Sequence, residues 1–222
     1  MKTLFTAFLA LCLAVPAYAA EEKIPLFKDV YYGMSKAAVR KGTGALPCEE
    51  DILKGQLCRK KPVNFGKQKW GQIFYFDNDK LIFVILFKKL EGKSLQNVMR
   101  TIADNGYSVI LMHNGTKHID KLEELSKGPN NDVDSAMLKF ERDSMDANEL
   151  TYTLIEDDCI RKAAEKQNHL SRNIQELLEN APRNLRAVEV SRSPKVLFVK
   201  FFTPVANIQD NQKNQEEVRD TF

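Results

Sequence analysis

Apolar and polar positions along the chain follow two alternating periods. Gln72-Ile73-Phe74-Tyr75-Phe76 is rich in strand formers, Asp77-Asn78-Asp79 supplies a turn, and Leu81-Ile82-Phe83-Val84-Ile85-Leu86-Phe87 returns. The return strand is apolar at every position, so it is expected to be central and covered on at least one face. Tyr107 to Met112 reads as another strand. Residues 135–142 and 149–156 are expected as a second hairpin across Asp143-Ser144-Met145-Asp146, and 185–190 with 196–202 as a third, turned at Ser193-Pro194.

Between these lie segments of helical spacing. Ser35 caps a short helix that Gly42 and Gly44 stop. Ser94 caps a helix carrying Leu95, Val98, Met99 and Ile102, which ends at Asn105-Gly106. A polar helix over about 118–127 carries Ile119, Leu122 and Leu125. The longest helix is expected over about 158–180, with Ile160, Ala163, Ala164, Leu170, Ile174, Leu177 and Leu178 on one face and Pro182 at its end. The Asn/Gln/Asp/Glu-rich stretch 205–222 reads as a frayed polar tail. Helices interleaved with hairpins give an α+β class, helices packed on an antiparallel sheet. The helix-hairpin pattern recurs, which divides the domain 20–204 into two tandem units, about 30–90 and 94–204.

The first nineteen residues stand apart. Lys2 is a positive n-region, Leu4 to Val15 an apolar run, and Pro16 with Ala17-Tyr18-Ala19 a cleavage context, the three parts of a secretory signal. The apolar run is too short to span a bilayer, and Leu11 precedes Cys12 where a lipid-attachment site takes Gly, Ala or Ser. The expectation is a periplasmic protein cleaved near Ala19, with no integral membrane segment. Losing Lys2 lowers the formal charge from +3 to +2, which leaves no basic footprint for nucleic acid.

Removing the signal also makes the cysteine count odd: Cys48, Cys58 and Cys159 remain. Cys48 and Cys58, ten apart in a polar stretch, are the natural disulfide in an oxidising compartment. Cys159 follows Asp157-Asp158 at a helix start; it is a buried thiol or a redox-active one.

The chemistry-bearing residues are sparse. Arg59-Lys60-Lys61, joined by Lys67 and Lys69, makes a positive patch near Phe65, Trp70 and Phe74, and these residues read as a solvated rim or as a surface for an acidic protein, glycan or anionic lipid. Trp70 serves core packing or anchors an interface. His113 and His118 flank an Asn-Gly turn without further ligands, so no metal is expected. Glu156-Asp157-Asp158 and Glu123-Glu124 read as solvated acids at element ends. No nucleophile elbow, zinc motif or phosphate loop occurs, so neither catalysis nor a cofactor is expected.

Tyr32-Gly33-Met34-Ser35-Lys36-Ala37-Ala38-Val39, the loop with Leu46-Pro47, and Tyr75-Phe76-Asp77-Asn78-Asp79-Lys80-Leu81 form a recognisable series. Over residues 32–87 the chain resembles the SmpA/OmlA small outer-membrane lipoproteins and the β-lactamase-inhibitor-like superfamily around them. Lys41 stands before Gly42 where that family usually has Leu, and a cysteine loop is inserted between helix and hairpin. The resemblance implies two small helices packed on an antiparallel sheet and a binding role without catalysis. The function expected is therefore an exported binding or envelope-assembly module with a protein partner. The alternatives are a thiol-redox protein using Cys159, and glycan or cell-wall recognition through Trp70 and its basic neighbours.

Overall fold

Alternating apolar residues with two left-handed turn positions build the most regular part of the molecule. In the computed structural model, which describes residues 23–219 and their side chains through residue 213, β5 (Gln68–Asp77) and β6 (Lys80–Lys89) form the expected hairpin. Asn78 and Asp79 take φ of 45° and 64° at its tip. Positive φ at both central positions matches the right-handed twist of the strands. The expected signal segment and its cleavage point lie outside the described residues.

The cysteine loop expected between the first helix and the hairpin contributes strands. β3 (Leu46–Pro47) and β4 (Leu57–Phe65) pair with each other, and β4 continues onto β5. Cys48 and Cys58 are disulfide-bonded across this pair. β7 (Tyr107–His113), β8 (His118–Asp120), β9 (Leu150–Glu156), β10 (Ala187–Arg192) and β11 (Val196–Phe202) complete one antiparallel sheet. Its order is β3-β4-β5-β6-β11-β10-β9-β7-β8. A separate two-stranded ribbon, β1 (Pro25–Phe27) with β2 (Val30–Tyr31), precedes α1 (Lys36–Thr43). The third expected hairpin is present as β10–β11. The sheet runs through the boundary between the two expected units, because β6 pairs with β11. One core cluster likewise joins Phe74 and Leu86 to Leu154 and Leu197.

Ser35 caps α1 by accepting from the Ala38 N–H at 3.2 Å, and Gly44 ends the helix in the left-handed region. α2 (Ser94–Ala103) forms as expected, although its cap position is Lys93; Ser94 Oγ donates to the Glu91 carbonyl at 2.6 Å instead.

Three local expectations change. The strand expected at 135–142 is helix α4 (Val133–Asp143), so the second hairpin does not exist. Val133, Met137 and Phe140 fall at helical spacing and pack toward the core, and Asp132 caps the helix through the Ser135 N–H at 3.0 Å. The long helix is two, α5 (Asp157–Gln167) and α6 (Ile174–Asn180), because Asn168 turns left-handed with φ 60° and Asn173 starts a new cap. The helix expected from 118 begins at 121: β8 comes first, then α3 (Lys121–Ser126). Asp120 makes that junction. It is buried, its Oδ1 accepts from the Leu122 and Glu123 N–H groups at 2.8 and 3.3 Å, and its Oδ2 accepts from the Ile174 N–H at 2.7 Å. One carboxylate thus caps two helices.

The tail read as frayed is helical as well. α7 (Pro204–Arg219) is anchored by buried Val205 and Ala206 and by Asp210, which accepts from Tyr32 Oη at 3.2 Å and pairs with Arg183 at 2.8 Å. Two or three anchors suffice where the rest of the helix is polar, which is why composition hid it. Among the described residues no helix is long and apolar enough to cross a membrane.

Candidate functional site: the uncovered face of the sheet

Strand alternation sends neighbouring side chains to opposite faces of the sheet. One face is closed. Trp70, Phe74, Val84, Leu86, Leu154, Val190 and Val199 lie on it, under α2, α4 and the β1–β2 ribbon. Trp70 is 1% exposed and Phe74 0%. The Trp70 indole N–H donates to the Phe65 carbonyl at 3.0 Å and its ring meets Phe65 edge-on.

The other face is covered only in part. α3, α5, α6 and the start of α7 pack over Ile155 and Ala187 at one end. Over β5, β6 and β11 most of the side chains are partly exposed, while Ile73 is buried among them and Phe202 packs against the helix-covered end. The register arranges them in three cross-strand rows: Tyr75, Phe83 and Phe202; Ile73, Ile85 and Lys200; Gly71, Phe87 and Phe198. Tyr75 and Phe83 stack with ring centroids 4.4 Å apart. Lys200 Nζ lies 4.3 Å from the Phe202 ring centre and 5.2 Å from that of Phe83, while it pairs with Glu189 at 2.8 Å. Phe87 and Phe198 stand opposite each other and are 36% and 37% exposed. Gly71 lets the far end of the Phe87 ring come close to the backbone of β5. A Cβ at that position would sit 2.4 Å from Phe87 Cζ.

The solvated face of an antiparallel sheet is ordinarily polar. A contiguous apolar patch with a polar border marks an interaction surface. Here the border includes the basic run singled out in the sequence. Arg59 and Lys60 share with Phe87 a cleft of about 180 Å³ beside the disulfide, and Lys60 lies 3.7 Å from Glu49. Lys61 is exposed on the same strand. Of the candidate binding residues Arg59, Lys60, Lys61, Trp70 and Phe74, Arg59 and Lys60 therefore adjoin the open face. Trp70 and Phe74 point the other way and form core, because they sit at the alternate positions of β5. A sugar cannot stack on Trp70 in this arrangement. The residues that sequence reading missed are Tyr75, Phe83, Phe87 and Phe198. Their signal was present, since a return strand apolar on both faces leaves one face needing a cover.

Cys159 is buried at the start of α5, with Sγ donating to Glu156 Oε2 at 3.7 Å. Burial first, and the Glu156 carboxylate second, push its pKa up, so the thiol is protonated at neutral pH. Glu156 is also held by the Arg186 guanidinium through two hydrogen bonds, one of them Nε at 3.0 Å. Arg186 lies 6.0 Å from the centre of the Tyr107 ring, and burial pushes the Tyr107 phenol up to about 12. This cluster closes the end of β7 and β9 over the buried Cys159 thiol. His113 faces His118 directly across β7–β8. No family model matches the chain, and neither does any curated protein or solved structure.

Proposed function

We propose that this protein is an exported, non-catalytic binding module that holds a protein partner of the cell envelope on the uncovered face of its sheet. The observation that carries the reading is the aromatic surface around Phe87 and Phe198, which lies in solvent where a polar face is the rule. Aromatic side chains supply most of the energy at such interfaces and lose little conformational entropy on docking. A periplasmic location, reached through the signal in residues 1–19, is consistent with the Cys48–Cys58 disulfide. The resemblance of residues 32–87 to the SmpA/OmlA proteins points the same way. The buried, protonated thiol of Cys159 does not favour the redox alternative.

A photo-reactive benzoylphenylalanine at position 198, introduced into the protein in its native host, tests the reading. The expected result is a discrete protein adduct that disappears when Phe87→Ser is added. Irradiation that yields no adduct at position 198, with the protein folded and exported, overturns it.

A further inference from the structure

Four of the six methionines of the chain line one groove on the closed side of the sheet, opposite the uncovered face. Met99 comes from α2, Met112 from β7 and Met137 from α4, and Met145 stands at the mouth just beyond α4. The groove has a volume of about 650 Å³ and is open to solvent. Met112 on its floor is buried, Met99 and Met137 on the two walls are half-buried, and Leu138 on the rim is 60% exposed.

We propose that this groove is a site for a soft monovalent metal ion, Cu(I) or Ag(I), held by the thioether sulfurs of Met99, Met112 and Met137. Thioethers are soft ligands that select such ions over hard ones. Three elements contribute one methionine each to the lining, and the three rotatable bonds of each side chain give its sulfur the reach to adapt to an ion in the groove. The surrounding apolar residues, Leu95 and Val109 among them, offer no hard oxygen or nitrogen ligand to compete with the sulfurs. The charged groups at the rim are Asp134, Glu141 and Lys121, one net negative charge, which suits a cation and opposes an anionic ligand. Glu141 is oriented by the Tyr152 hydroxyl, which donates to it at 2.6 Å. Binding is simple coordination: three sulfur–metal bonds form, no bond of the protein breaks and no proton is released, because a thioether carries none. This inference does not depend on the open face.

Ag(I) is the probe, since it needs no reductant and so spares the Cys48–Cys58 disulfide. The full chain is titrated with silver nitrate in chloride-free buffer, with 13C-methyl spectra of methionine and equilibrium dialysis as readouts. The expected result is one ion per chain, with the methyl signals of Met99, Met112 and Met137 moving and that of Met34 still. Each single Met→Leu substitution weakens binding roughly tenfold or more, the scale on which metal sites lose affinity when a supporting group is removed. Leucine conserves the volume and apolar character of the groove, so the fold is retained. Affinity persists from pH 7 to pH 5, where a histidine or thiolate site loses its ion to protons. No saturable uptake by the wild type overturns the proposal. So does uptake unchanged in the triple leucine variant, or uptake abolished by Cys159→Ser.

Discussion

Phe74 and Phe87 stand on adjacent strands of one hairpin and differ in everything but residue type. Phe74 projects to the closed face and is inaccessible, while Phe87 projects to the other face and is 36% exposed. The same contrast separates Trp70 from Phe198. On the closed face, aromatics are fixed by helices, by the β1–β2 ribbon and by one another, as in the edge-on contacts of Phe65 with Trp70, Phe27 and Phe201. On the open face they are held by cross-strand neighbours alone, Phe87 over Gly71 and Tyr75 against Phe83. Identical chemistry is thus placed in two settings: on one side it is buried in the core, and on the other it is left partly exposed.

That contrast can be broken by substitution. Trp70→Ala has the largest expected effect, a loss of about 3–5 kcal/mol of stability for removing a fully buried large aromatic. Urea unfolding followed by far-UV circular dichroism measures it, and a loss under 1 kcal/mol would place Trp70 outside the core. Asp120→Ala should cost about 2–3 kcal/mol, because the Leu122 and Glu123 N–H groups of α3 and the Ile174 N–H of α6 lose their acceptor and stay partly buried, although Asn173 still caps α6. Asp120→Asn should recover part of that, since one amide oxygen can still cap one helix. The same denaturant measurement orders the three proteins, and equal stability of all three would remove Asp120 from its capping role.

Next comes a pH dependence from the half of the sheet that helices do cover. Cys159 has its pKa raised in the folded protein, first by burial and then by Glu156. Its contribution is therefore fully present below the unfolded thiol pKa of roughly 8.5 and is lost as pH rises from there toward the folded value. Tyr107, raised to about 12, adds a further loss from about pH 10 upward. Unfolding midpoints should fall across this alkaline window, and Cys159→Ala should flatten the first part of the decline. At neutral pH the folded protein should leave a thiol reagent unreacted until denaturant is added. The smallest effect belongs to the open face. Phe198→Ser should change stability by under about 1 kcal/mol while removing capture of the partner. A large loss of stability there would mean that the face is structural and would erase the contrast with Trp70.

Much of the architecture was legible locally. The β5–β6 and β10–β11 hairpins, α1 with its Ser35 cap, α2 and the disulfide all follow from short-range signals: turn residues with positive φ, caps, apolar periods and cysteine spacing. The misread segments share another trait. Val133–Asp143 carries few strand formers, yet its apolar positions were ambiguous over so short a span. The polar helix α7 holds its place through three tertiary anchors, Val205, Ala206 and Asp210. The break at Asn168 depends on a single residue turning left-handed, and Asp120 receives the N–H of Ile174 from 54 positions away.

By itself the sequence determined the α+β class, the pairing of Cys48 with Cys58, the β5–β6 and β10–β11 hairpins and the run of aromatics on β5, β6 and β11. Period-2 alternation and turn chemistry act between near neighbours, so they are written in the order of residues. Only the tertiary structure decided which face each aromatic serves, that Trp70 and Phe74 are core, that Phe87 and Phe198 are not, and that Met99, Met112 and Met137 share a groove. Those outcomes depend on where helices distant in sequence settle on the sheet, and the chain order does not encode which face they leave bare.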